Sequence, residues 1–541
     1  MSHSSWRYGL AALVVAWLID LLFWQTPPGV SFFIWALIAL AAGFILARLE
    51  GVRPSAWSYP IAAAVLVFSG FVGARTELFT RLLSFGLAMG GLALLAATFR
   101  SGNWVAYRLW DYVPAFFKLL GAALTRPAEL FKSQPAAEGA PTAGQISWRK
   151  GWGGARRVLV GLLLALPVLA VFGGLLSAAD PIFSNRLSGF LSGFDVSHLG
   201  EYIFRLVYIL VLAFLFSGVY LHAVRPAREE PRIDPAQAKS WLQPFLGWIE
   251  AGAVLALVDL MFAFFVGIQF WYFFGGQANI NSSGFTFADY ARRGFFELVV
   301  VAVISLLLYL GLATITRRET AFQKRGFTGL SVFLMAMVLV MLVSAFQRLL
   351  LYESAYGYTE LRMYTHIFMI WLGLLMAAAV VFELLGRRQH FGLALLLTIV
   401  GFGLTFGFFN VEDAIAHQNI ARARQGLGTS AAGAGLDSSY LSALGSDAVP
   451  ALLDEYRRPD QPQAVHDALG AELACRAFRL LQDPGPAAWQ SFNLAQARAD
   501  DLLRQAQGEW SAYTVVSTDQ GPAVWVSGGD HFCFSALLPM D

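Results

Sequence analysis

The sequence predicts an all-α integral membrane protein of about 11 transmembrane helices, followed by a mainly α-helical soluble domain that ends in a β-hairpin. Three observations carry this expectation. Segments such as Trp57–Gly73, Val158–Ala179, Tyr202–Ala223 and Gly392–Phe409 are nearly free of charge and about as long as the ~20 residues a helix needs to cross hydrocarbon. The composition is 57% hydrophobic and only 14% charged, where a soluble domain carries about 25% charged residues. Basic residues also gather in alternate loops.

The expected spans are 8–24, 30–47, 56–73, 78–99, 156–178, 202–223, 243–274, 293–315, 327–350, 364–386 and 391–409. The first follows a single basic residue, Arg7, and lacks a small-x-small cleavage site, so it reads as a retained helix. Thr26-Pro27-Pro28-Gly29 turns the chain into the second. With the N-terminus inside, the inner loops hold 22 Lys and Arg and the outer loops eight. The positive-inside rule then places the N-terminus in the cytoplasm and, for an odd number of spans, the C-terminus outside.

Four parts follow: an N-terminal four-helix membrane part (1–100), a cytoplasmic interfacial helix and linker (101–155), a seven-helix membrane core (156–409) and an extracytoplasmic domain (410–541). In the second part, Val113, Phe116, Phe117, Leu120 and Leu124 recur at helical spacing among Arg108, Asp111, Lys118 and Arg126. That pattern fits a helix lying on the membrane surface. A similar surface helix is expected in Asp180–Glu201, with Phe183, Leu187, Phe190, Leu191 and Phe194 on one face. Beyond Phe409, amphipathic helices are expected at Asn410–Gln425, Asp437–Arg458, Gln463–Gln482 and Ala487–Gln507. A hairpin should turn at Gln520-Gly521-Pro522. Both cysteines, Cys475 and Cys533, fall in this domain and are disulfide candidates, the alternative being two buried thiols.

The densest polar cluster is Arg348–His366, between spans nine and ten. Arg348 and Tyr352 share a helix face, as do Arg362 and His366. Glu353, Tyr358 and Glu360 lie between them, and Glu297 in span eight sits at a depth where it could pair with Arg348 or Arg362. An ion-paired helical hairpin is one reading, and a binding site for a headgroup or polar solute made by Glu297, Arg348, Tyr352, Glu353, Tyr358, Arg362 and His366 is the other. Asp259 lies mid-span among Leu, Val, Met and Phe, where it reads either as a proton- or cation-coupling group or as a hydrogen-bond partner for a neighbouring helix. Glu383 and Arg387 are spaced as a surface ion pair. Gly86-x-x-x-Gly90 and Gly403-x-x-x-Gly407 suit close helix packing.

Other chemistry finds little support. The chain has no basic stripe interleaved with aromatics for nucleic acid outside the inner loops. Zinc spacings, a phosphate loop and a nucleophile elbow are missing too, so no cofactor or metal is expected.

Several blocks together resemble a bacterial family of polytopic membrane proteins known as a domain of unknown function. They are Ala179-Asp-Pro-Ile-Phe-Ser, Gln269-Phe-Trp-Tyr-Phe-Phe-Gly-Gly276, Asp289–Leu298, Arg348–Arg362, Phe409–Ala416 and Leu436–Leu441. The block Arg348…Tyr352…Tyr356-Gly357…Leu361-Arg362 is the most specific, with Tyr358 standing where leucine or tryptophan is expected. The resemblance covers about 155–450 and implies a multi-pass protein of the bacterial plasma membrane with no assigned activity or catalytic residues. Two functional readings follow. One is transport or export of a small solute or envelope lipid, with Asp259 as coupling group. The alternative is a sensory or interaction protein whose outer tail binds an envelope protein or lipid. An enzyme using Glu297, Glu353, Glu360 and His366 as acid and base has no positive support.

Overall fold

The computed structural model describes residues 5–130, 199–225, 244–274, 295–426, 436–482, 488–519, 521–526 and 529–533, with short pieces of 172–184. In lipid only a helix or a closed barrel satisfies its own backbone, so the long apolar runs become helices. These are α1 (Ser5–Phe23), α2 (Val30–Leu49), α3 (Ser58–Ala74) and α4 (Leu78–Thr98), then α6 (Leu199–Val224) and α7 (Trp248–Phe274). α8 (Phe295–Ile315), α9 (Ala321–Tyr356), α10 (Glu360–Leu384) and α11 (Phe391–Phe408) complete the set. Nine helices among the described residues are long and apolar enough to cross a membrane, and α3 is a shorter apolar helix of 17 residues. Most of the expected span at 156–178 lies outside the described residues, as does most of the expected surface helix after Asp180. Between them, α5 (Tyr112–Thr125) has 14 residues, too few for a core of about 30 Å. Its Val113, Phe116, Phe117, Leu120 and Leu124 are all exposed.

The chain divides into two compact units, one of residues 1–25, 37–54 and 117–229, the other of 26–36, 55–116 and 230–541. In the first, α1 and α6 run antiparallel and are pinned at both ends. Arg205 bonds Asp20 at 2.6 Å and lies 5.0 Å over the Trp24 ring, on which Tyr208 also stacks. At the other end Arg225 pairs with Glu50 and lies over Tyr8. The Tyr220 hydroxyl donates to the Ala39 carbonyl at 2.9 Å.

In the second unit α3 and α4 form a hairpin. The Ser58 hydroxyl donates to the Phe99 carbonyl at one end, and Glu77 caps α4 at the other by accepting from Phe79 and Thr80 amides. α11 packs against both. α7 to α10 form a bundle around Leu255, Tyr309, Leu334, Met335, Met341, Leu349, Met369 and Met376. α9 has 36 residues and is about 54 Å long, well over the membrane core and longer than the expected 327–350. Its last two turns carry the polar cluster, which ended the apolar run early in the sequence. Glu383 is buried and pairs with Arg388, not Arg387, while accepting from Tyr309 and Thr328 hydroxyls. Gly386, at φ +65°, breaks the helix between them, so the i,i+4 spacing does not apply.

The tail contains α12 (Val411–Arg424), α13 (Ser438–Ala443), α14 (Val449–Tyr456), α15 (Gln463–Gln482) and α16 (Leu494–Gln505). Three antiparallel strands follow, β1 (Val515–Thr518), β2 (Gly521–Val526) and β3 (Gly529–Phe532), in the order β1-β2-β3. The hairpin is therefore extended by one strand, with Val515 opposite Val524 and Ala523 opposite Phe532. Cys475 of α15 is disulfide-bonded to Cys533. Beside it Glu472 accepts from Arg476 at 2.6 Å and lies 3.0 Å from the His531 ring. Arg476 also donates to the Leu441, Leu444 and Gly445 carbonyls at the end of α13.

The two glycine pairs differ. A Cβ on Gly403 would meet Phe68 and Leu87, and one on Gly407 would run into Phe71. Gly86 and Gly90 have nothing within 4 Å, and it is Gly91 that meets Val65. Gly407→Leu should therefore destabilise the helix packing by about 1–3 kcal/mol, while Gly86→Ala leaves it intact. Thermal unfolding of the purified protein in detergent checks this, and equal melting of the two variants would contradict it.

Candidate functional site at the tail-facing ends of the helices

Helix ends leave backbone carbonyls and amides without partners, and a long helix end buried under another domain must find them elsewhere. α9 ends at Tyr356 and Gly357, whose φ of +84° lets the chain reverse into α10 within three residues. The reversal brings much of the sequence-predicted cluster together. Glu353 is 0% exposed, and its Oε2 lies 3.4 Å from Nδ1 of His366 on α10, too poorly aligned for a hydrogen bond. Among the described residues, neither Glu353 oxygen nor His366 Nε2 has a hydrogen-bond partner. The Arg362 guanidinium stands 4.2 Å over the Tyr352 ring and donates to the Gly357 carbonyl. Tyr352 also packs against Tyr356. Arg348 is on the same helix with its Nε buried. Glu297 stays exposed on α8.

Sequence reasoning missed what holds this turn. Asn419 of α12 accepts from the Tyr358 amide at 2.7 Å and donates to the Tyr358 carbonyl at 2.8 Å. Arg422, one turn further along α12, donates to the Glu353 and Ser354 carbonyls and so caps α9. The Glu360 amide donates to the Tyr440 hydroxyl at 2.9 Å. These partners lie some 60 to 80 residues away in sequence. Only the shared face of Asn419 and Arg422, at i and i+3, hints at them.

A second clasp holds the α3–α4 turn. The Asp447 carboxylate accepts from the Thr76 amide and hydroxyl, both at 2.6 Å, from the Glu77 amide, and from Arg75 at 3.1 Å. Arg75 also donates to the Gly407 and Phe408 carbonyls at the end of α11. Tyr364 donates to Glu77, joining this clasp to α10. Glu412, buried on α12, accepts from the Gly445 amide at 2.8 Å, and its Oε2 has no partner. Burial pushes the Glu412 carboxyl up to about 7; Asp447 and Glu360 add to the rise, against the Gly445 bond and Arg476.

Asp259 lies apart from both clasps. It sits on the buried stripe of α7 with Ala251, Leu255, Phe262 and Val266, is 4% exposed, and neither oxygen has a hydrogen-bond partner among the described residues. Among the described residues, no group of three or more His, Cys, Asp or Glu could hold a metal ion.

Because the folded Glu412 carboxyl binds its proton more tightly than in an unfolded chain, its contribution is full below about pH 4.5 and falls as pH rises through about 7. Melting of the tail should weaken from about pH 5 to about pH 8. Glu412→Gln, which keeps the acceptor for Gly445, should flatten that part of the profile. A variant with the wild-type slope would contradict the assignment.

Residues 61–455 match the family model described as "Domain of unknown function (DUF4153)". The match starts at 61, well before the 155 expected from the motif blocks, so it takes in the α3–α4 hairpin as well as both clasps. No curated protein and no solved structure matches the chain. With most of its length covered, this multi-pass membrane chain belongs to the DUF4153 family, a domain of unknown function.

Proposed function

We propose that the membrane part moves a small solute or envelope lipid across a bacterial plasma membrane, and that Asp259 couples this movement to protons. The observation that carries the reading is the Asp259 carboxylate itself, enclosed mid-helix with neither oxygen hydrogen-bonded among the described residues. Apolar surroundings are a poor resting place for an unpaired charge, and ionisable groups within spans mark proton or substrate paths more often than structure. Glu353 and His366, buried nearer the end of α9, supply a second pair of proton-exchanging groups on the tail side. In this reading a proton bound at Asp259 neutralises it in one conformation. Its release to the other side accompanies exposure of the carboxylate to water.

The cytoplasmic N-terminus and extracytoplasmic tail are part of the same proposal. The excess of Lys and Arg in the inner loops supports it. The Cys475–Cys533 disulfide in the tail supports an oxidising compartment there.

The test is reconstitution in liposomes with a panel of labelled phospholipids and small solutes under an imposed pH gradient. The full chain should move at least one of them in response to the gradient. Asp259→Asn should abolish the response without changing insertion or melting. Gradient-driven movement that survives in Asp259→Asn, or no movement of any panel member, would overturn the reading.

A further inference from the structure

Between α15 and α16 the tail carries the uncharged run Ala488-Trp-Gln-Ser-Phe-Asn-Leu494. Its side chains are arranged the reverse way to a soluble loop. The polar ones turn toward protein: Asn493 caps α16 through the Ala495 amide and donates to the Arg75 carbonyl at 2.6 Å, and Ser491 donates to the Ala488 carbonyl. The large apolar ones stay outside: Trp489 is 56% exposed, Phe492 47% and Leu494 58%. A water-facing surface gains nothing from this order, because each buried CH₂ is worth about 0.8 kcal/mol.

The position of the run explains the order. The Phe492 carbonyl accepts from the Val30 amide at 2.9 Å, and Val30 is the first residue of the candidate span Val30–Leu49. Ser491 and Phe492 press so closely on Gly29 that a Cβ there would meet the Phe492 carbonyl oxygen at 2.5 Å. Asn493 reaches the residue that ends α3. The run therefore lies level with the ends of two membrane helices, where hydrocarbon gives way to headgroups. At the start of α4, Leu78 and Leu82 are also exposed. Tryptophan is enriched at this depth because its ring is apolar and its indole N–H can still reach water or headgroups.

We propose that Trp489, Phe492 and Leu494 form a lipid-interface anchor that seats the tail in the headgroup region of the leaflet it faces. The partner is the bilayer itself, and the surface continues the lipid-facing surface of the spans. The anchor does not depend on transport or on which side of the membrane the tail occupies.

The test uses the full chain in lipid nanodiscs. Both native cysteines are in the disulfide and none is free, so an introduced thiol can be labelled alone. Nitroxides at Trp489→Cys and Leu494→Cys should collide with oxygen in preference to a water-soluble nickel chelate. The preference should be several-fold greater than at Ala464→Cys, an exposed site flanked by Asp460, Gln463 and Asp467. A ratio equal to that of Ala464 would overturn the anchor. Low collision with both reagents would also overturn it, pointing to protein cover. Trp489→Tyr gives a second measurement that does not need labelling. The emission lost in this variant should be quenched by brominated acyl chains and not by iodide, and iodide quenching would contradict the anchor.

Discussion

Hydrocarbon offers no hydrogen bonds, so every place where this chain turns at the end of its spans has to find polar partners within the protein or at the interface. The tail supplies many of them in the larger unit. Asp447 gathers the α3–α4 turn, Asn419 and Arg422 gather the α9–α10 turn, and the Phe492 carbonyl takes the first free amide of α2. Hydrogen bonds to a charged group contribute about 1.5–3 kcal/mol each, and Asp447 accepts four in the α3–α4 clasp. Removing such a carboxylate leaves Arg75 half-buried and the turn amides unmet, a loss of the order of 3–5 kcal/mol. The tail is thus a structural part of the membrane body, and its helices complete the helix caps of the spans.

The same constraint separates the buried acids. Glu383 is enclosed but fully answered by Arg388, Tyr309 and Thr328, which makes it a joint between α8, α9 and α10. Glu472 is enclosed and answered by Arg476 and His531; burial alone would raise its carboxyl, but the Arg476 guanidinium and the hydrogen bond with the His531 ring hold it below the usual range. Among the described residues Glu353 has a loosely placed imidazole but no hydrogen bond, and Asp259 has no hydrogen bond either. The contrast within one chain is what turns attention to the last two. Glu412 lies between the two groups, with one oxygen bonded to the Gly445 amide and the other without a partner among the described residues.

The spans were legible because the membrane imposes a length, and an apolar run of about 20 residues has few other uses. α1, α2, α4 and α8 begin and end within a few residues of where the apolar runs do. The overrun of α9 was hidden because its last turns are polar and look like a loop. Glu383 was matched to the wrong arginine since Gly386 interrupts the helix that the spacing assumed. For the candidate site, helix periodicity placed Tyr352, Glu353, Arg362 and His366 in one neighbourhood. It could not supply Asn419, Arg422 or Asp447, whose contacts join residues 61 to 372 apart and have no local signature. The third strand escaped for a related reason: Gly529–Phe532 has too few residues to show an alternating pattern.

Hydrogen–deuterium exchange of the full chain in nanodiscs tests most directly whether the tail is built into the membrane body. The amides of Thr76, Glu77 and Tyr358 lie in turns and that of Val30 opens α2, yet each donates to a tail group and should exchange as slowly as the core of α15. Exchange of all four at the rate of free loops, with α15 still protected, would mean an independent domain on a tether and would contradict the account.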